Sequence, residues 1–206
     1  MLDLIDLLKK KLNEPLPGLD AQYEMAPLSR PKIDLSQLEP NSYKKSAVMI
    51  LVYRHRNKYY VPLTKRHDYE GKHSGQVSLP GGKFEEGDNT LQNTALRELN
   101  EEIGINCSVE VIGSLTPLYI PVSSFYVEVY IGVCTQHDVN FSPNEREVKE
   151  LILLDLELLK SDSILKLGRT VSGEGYELKT PYFEVEGEII WGATAMILNE
   201  FKKLLT

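Results

Sequence analysis

Residues 81–105 read GGKFEEGDNTLQNTALRELNEEIGI, and their core, Arg97-Glu98-Leu99-Asn100-Glu101-Glu102-Ile103-Gly104-Ile105, places three acids within five positions. Each residue of a helix turns about 100°, so Glu98, Glu101 and Glu102 share one face while Leu96, Leu99 and Ile103 point the other way. The spacing predicts a helix from about Thr90 to Ile103, capped by Asn89 with Gln92 reaching back, and ended by Gly104 in a left-handed conformation. Carboxylates crowded in this way repel one another. A hard divalent cation, Mg²⁺ or Mn²⁺, relieves the repulsion because it takes oxygen ligands and leaves positions open for water and phosphate. The stretch therefore reads as a metal-phosphate site behind a turn at Gly81 and Gly82.

The rest of the composition fits that reading. A chain of 206 residues can build one domain with a sizeable core. Its formal net charge of −7 argues against general nucleic-acid binding, which needs clustered Lys and Arg. Cys107 and Cys134 form neither a metal spacing nor a disulfide framework, so a reduced cytoplasmic setting is expected. The longest apolar run, 47–53, is too short to span a membrane and suits a buried strand. Asp3 and Asp6 precede the first lysines, unlike a secretory leader, and no membrane contact is expected. Ile5, Leu8 and Leu12 have amphipathic helical spacing, for a helix packed on the domain or on a second subunit.

Along the chain, a proline-bearing stretch over 14–41 reads as an arm that wraps the surface or crosses to a partner. Residues 1–41 are thus expected to be a helix and arm packed on a domain of 42–206. Strands are expected over 46–53 and 59–65 around a polar turn, then over 107–115, 125–134 and 151–154. A short helix near 156–165, a hairpin of 182–185 with 188–191 around Gly187, and a closing helix over 193–205 complete the pattern. The implied architecture is α+β or α/β, a mixed sheet sandwiched between helices.

The central stretch resembles the Nudix box: Gly, five residues, an acid, a spacer, then Arg-Glu-apolar-x-Glu-Glu-x-Gly-apolar. Gly82 matches the opening glycine and 97–105 the close, with Asp88 as the first acid and eight residues rather than seven before Arg97. That longer spacer is similar to the coenzyme A pyrophosphatase-like subgroup. So are Leu63-Thr64-Lys65-Arg66, His73, Gly75-Gln76-Val77, Pro80-Gly81-Gly82, Thr94-Ala95-Leu96 and Trp191-Gly192-Ala193-Thr194-Ala195. The chain departs from the subgroup at Pro62, His67, Gly71 and Leu79; Gly71, with Lys72 beside it, stands where the subgroup has its second arginine.

The resemblance implies a metal-dependent pyrophosphohydrolase cleaving coenzyme A or its derivatives to 3′,5′-ADP and 4′-phosphopantetheine or its acyl form. Glu98, Glu101 and Glu102 would hold Mg²⁺ or Mn²⁺, with the Gly82 carbonyl a further ligand, and Arg97 would orient the acids. Glu147 is the candidate general base. Arg66 and Lys72, with Gly81 and Gly82, are candidates for binding substrate phosphates, whereas His73 and Trp191 read as structural. Glu85 and Asp88 read as second-rank acids or solvated turn residues. Two alternatives stay open: another nucleoside diphosphate derivative (ADP-ribose, NADH or a modified nucleotide) as substrate, and a Nudix-fold binding module without catalysis. The partner expected is a nucleotide-containing small molecule, and the resemblance adds a homodimer.

Overall fold

The computed structural model describes residues 3–39, 42–67, 75–136, 139–171 and 177–206. Helix α1 (Leu4–Lys11) starts at Asp3, whose carboxylate accepts the Leu4 N–H at 2.8 Å. Helix α2 (Gly18–Tyr23) follows, and then strands β1 (Lys44–His55), β2 (Lys58–Arg66), β3 (Val77–Ser78) and β4 (Gly81–Lys83). After helix α3 (Leu91–Ile103) come β5 (Glu110–Ser114), β6 (Leu118–Ile120), β7 (Phe125–Cys134) and β8 (Val148–Asp155). The chain closes with α4 (Leu156–Lys160), β9 (Leu165–Val171), β10 (Glu177–Val185), β11 (Glu188–Ile190) and α5 (Gly192–Leu205).

The mixed sheet expected from sequence is present. β1 runs parallel to β7 from Lys44↔Phe125 to Tyr53↔Cys134. Its other edge is shared: β2 pairs its C-terminal end and β4 its N-terminal end, both antiparallel. β8 and β3 flank β2, and β5 and β6 pair with β7. Successive strand side chains alternate between faces, and β1 is buried on both. Ala47, Met49, Leu51 and Tyr53 pack against Ala95, Leu99 and Ile103 of α3. Ile50 and Val52 face the larger core, which includes Met196, Phe201 and Leu204 of α5 and Leu8 of α1. The helices therefore lie on both faces of the sheet. The β1–β2 hairpin turns on Arg56 and Asn57, both with positive φ, as a two-residue connection demands.

Several expectations need correction. The stretch read as an arm over 14–41 holds a helix that was not expected, α2, which buries Ala21 and Gln22 against α5, where Glu200 accepts from Gln22 Nε2 at 2.7 Å. Gly81 and Gly82 form strand β4 rather than a turn, paired with Val48 and Ala47. Thr90, not Asn89, caps α3, its hydroxyl accepting the Asn93 N–H at 3.1 Å. Asn89 has a φ of 60° and sits one residue outside that cap. β9 was not anticipated; with β10 and β11 it makes a separate three-stranded sheet. Cys107 and Cys134, expected to be unpaired, form a disulfide with Cα atoms 6.3 Å apart. Antiparallel pairing of Glu110 with Val133 brings the two cysteines together from 27 residues apart. The bond removes one ground for expecting a reduced environment. Among the described residues no helix is long and apolar enough to cross a membrane.

Candidate active site

Helix α3 lies over β1 and β4, so its acids face the backbone of Gly81 and Gly82. Gly104 ends the helix with a φ of 54°, its N–H reaching Asn100 O at 3.0 Å. The next loop is pinned to the freed carbonyls: Ser142 N–H donates to Ile103 O and Asn144 N–H to Glu102 O, each at 2.9 Å. This docking carries Glu147 to the site. Its carboxylate accepts from Asn144 Nδ2 at 3.1 Å, and its charge bears on both Glu98 and Glu102.

Glu102 is only 4% exposed. Its Oε2 lies 3.4 Å from the Gly81 amide and 3.5 Å from Thr64 Oγ1, and its Oε1 is 3.7 Å from the Arg66 guanidinium. Burial pushes its carboxyl up to about 7, Glu98 and Glu147 add repulsion, and Arg66 with the Gly81 N–H pulls the other way. Burial also raises Glu98, against the pull of Arg97. The Glu98 carboxylate lies so close over Gly82 that a Cβ built there would come within 2.2 Å of its Oε1. Only glycine leaves room for that approach.

Arg97 organises the rest. Its Nε donates to Asp88 Oδ1 at 2.7 Å and one terminal nitrogen to Asp88 Oδ2 at 3.1 Å, a two-pronged grip. The other terminal nitrogen reaches Glu98 Oε1 at 3.0 Å and Glu101 Oε2 at 2.8 Å. Asp88 is buried and also accepts from Thr94 Oγ1 at 2.8 Å and the Glu85 N–H at 2.9 Å. The Arg97 grip holds the Asp88 carboxyl well below its ordinary range, and Asp88 in turn raises Arg97.

A model of the NUDIX domain matches residues 43–171. This chain belongs to the Nudix family. A Yersinia enterocolitica relative described as an uncharacterized Nudix hydrolase, NudL, is 34% identical over 173 residues, covering 82% of this chain and 87% of its own. A protein so described from Yersinia pestis is 36% identical over 142 residues, covering 66% and 68%. Among solved structures, a MutT/nudix family protein from Enterococcus faecalis aligns over 90% of this chain and 73% of its own, with a TM-score of 0.53 at 14% identity. That likeness shows the fold. As a Nudix hydrolase the protein acts on pyrophosphate bonds in nucleotide-derived small molecules.

Within this Nudix chain the structure brings Glu98, Glu102, Arg97, Arg66, Gly81, Gly82 and Glu147 to one place. Glu101 is more exposed and paired to Arg97. Among the described residues no three His, Cys, Asp or Glu groups converge closely enough to ligate one ion. Glu98 and Glu102 nonetheless suit a hard cation: both offer oxygen, burial raises both carboxyls against the pull of Arg97 and Arg66, and both meet the Gly81–Gly82 backbone. Lys72 and His73, like Gly71, lie outside the described residues. Trp191 is half-buried immediately before α5. Sequence reading missed Thr64 and Asn144, whose roles arise only from the pairing of β2 beside α3 and from the docked loop. It also undervalued Asp88, whose place as first acid of the box was the available signal.

Proposed function

We propose that this Nudix hydrolase cleaves the diphosphate of coenzyme A or its derivatives, giving 3′,5′-ADP and 4′-phosphopantetheine or its acyl form. The observation that carries the hydrolytic part is the buried Glu102 beside Glu98, both against the Gly81–Gly82 backbone. Glu98 and Glu102, joined by Glu101 and the Gly82 carbonyl, would hold Mg²⁺ or Mn²⁺. When bound, that ion neutralises diphosphate charge and acidifies a water. The chain's own residues do the remainder. Arg97 fixes the Glu98 and Glu101 carboxylates. Arg66, 40% exposed at its side chain, offers a guanidinium to a phosphate oxygen. Glu147 accepts the proton of the attacking water from its position on the docked loop.

The coenzyme A assignment rests on the motif upstream of the box, and the homodimer on the family resemblance and the N-terminal arm. Gly71 and His67, where the chain departs from the subgroup, keep open the alternative of ADP-ribose, NADH or a modified nucleotide as substrate. A panel of coenzyme A, ADP-ribose, NADH and a nucleoside triphosphate, each incubated with protein and Mg²⁺ and resolved by product, decides between them. Release of 3′,5′-ADP from coenzyme A at the fastest rate supports the assignment. Rapid cleavage of another member without that product overturns it.

A further inference from the structure

The pairing of β7, β1 and β4 puts an aromatic row next to the acids. Glu128 is registered with Ala47, and Ala47 with Gly82, so all three share the face covered by α3. Two strand spacings, about 10 Å in all, separate Glu128 from Gly82. Alternation along each strand puts Tyr126, Tyr130 and Lys45 on this face, and Phe84 too, whose N–H donates to Lys45 O at 3.0 Å. Tyr43 packs on Tyr126 with ring centroids 5.1 Å apart and planes at 30°. Tyr130 donates its hydroxyl to Glu128, fixing the carboxylate's orientation. Tyr43, Phe84, Tyr126, Glu128 and Tyr130 are all half-exposed, whereas Ala47 between the two rows is fully buried. Half-exposed rings around an oriented carboxylate are not what a closed core needs, since a phenol can fill its apolar contacts elsewhere.

We propose that this row is the base shelf of the substrate site: a nucleobase stacks on Tyr126 and Tyr43, and Glu128 accepts a hydrogen bond from its amino group or from a ribose hydroxyl. The assignment rests on the hydrolase reading for what lies beside it, the diphosphate over Glu98 and Gly82. The spacing matches a nucleotide laid across three strands, base at β7 and phosphates at β4. Lys45, exposed between them, suits a phosphate borne on the ribose.

The test is calorimetric titration with 3′,5′-ADP and with ribose 5-phosphate, in the presence of Mg²⁺, on the full chain and on Tyr126→Phe and Tyr126→Leu. Neither ligand contains the bond to be cleaved. The shelf predicts that 3′,5′-ADP binds at least about tenfold tighter than ribose 5-phosphate, that the Phe variant keeps this preference and that the Leu variant loses most of it. Should Tyr126→Leu fail to fold, tyrosine ring resonances of the unaltered protein give the answer: 3′,5′-ADP must shift Tyr43 and Tyr126, and ribose 5-phosphate must not. Equal affinity for the two ligands, no binding of 3′,5′-ADP, or wild-type affinity in a folded Leu variant overturns the shelf. Turnover separates the two readings. Nucleotide bound on the tyrosines with no diphosphate cleaved sinks the reaction and keeps the shelf; cleavage with Tyr126→Leu binding unchanged does the reverse.

Discussion

Replacing Glu102 by Gln should flatten a pH dependence of stability that its burial imposes. The carboxyl is displaced from 4.5 to about 7 in the folded chain, by burial first and by Glu98 and Glu147 next, with Arg66 and the Gly81 amide opposing. Because the folded state holds the proton more tightly, stability is full below the ordinary carboxyl range and falls as pH rises towards 7. Above that the native state must carry a buried anion. At about 1.4 kcal/mol for each pH unit, the displacement amounts to about 3 kcal/mol. Glutamine keeps the shape and never ionises. Urea unfolding at pH 5, 6, 7 and 8 with divalent ions removed reads the effect. Relative to Glu102→Gln, the wild type should lose about 2.5 kcal/mol from pH 5 to pH 8, and Mn²⁺ at pH 8 should restore part of it to the wild type alone. A constant difference between the two proteins across that range refutes the claim that Glu102 is buried without adequate counter-charge.

Asp88→Asn should destabilise the fold by about 3 kcal/mol in urea, since it leaves the Arg97 guanidinium and its own surroundings unmatched; a loss under 1 kcal/mol would show the grip to be dispensable. Gly82→Ala should cut turnover at least about a hundredfold while moving the melting temperature by only a few degrees, because the added methyl meets the movable end of Glu98. Glu200→Ala should release the N-terminal segment. Fully buried, Glu200 accepts from Gly18 N–H, Thr116 Oγ1 and Gln22 Nε2 at 3.1, 2.7 and 2.7 Å, and its loss orphans those donors. Limited proteolysis should then cut near α2 well before the body of the domain.

How much of this was legible depended on whether the information was local. The α3 face, the Gly104 terminus and the β1–β2 hairpin follow from periodicity and turn chemistry over a few residues, and the structure reproduces them. Gly81 and Gly82 misled because two adjacent glycines signal a turn in isolation. Their actual role, pairing against β1 beneath Glu98, depends on a strand more than thirty residues away. Thr90 and Asn89 are both good cap residues, and only the backbone path through Asp88 selects the threonine. The disulfide, the docking of Asn144 on Glu102 and the burial of α2 on α5 are all tertiary, with no imprint on local spacing. Glu101 taught the opposite lesson. Helical geometry put it on the acidic face, but the Arg97 fork one turn earlier draws it aside.

The central claim is that Glu98 and Glu102 bind a divalent cation on which diphosphate hydrolysis depends. The most direct measurement is the rate of diphosphate cleavage as Mg²⁺ is titrated into metal-stripped wild type, Glu98→Gln and Glu102→Gln, with the cleaved member of the substrate panel. The account predicts saturable activation of the wild type from a negligible metal-free rate, and a loss of at least about a hundredfold in each variant at saturating Mg²⁺. Cleavage that proceeds without metal, or a Glu102→Gln protein that retains wild-type turnover, contradicts it.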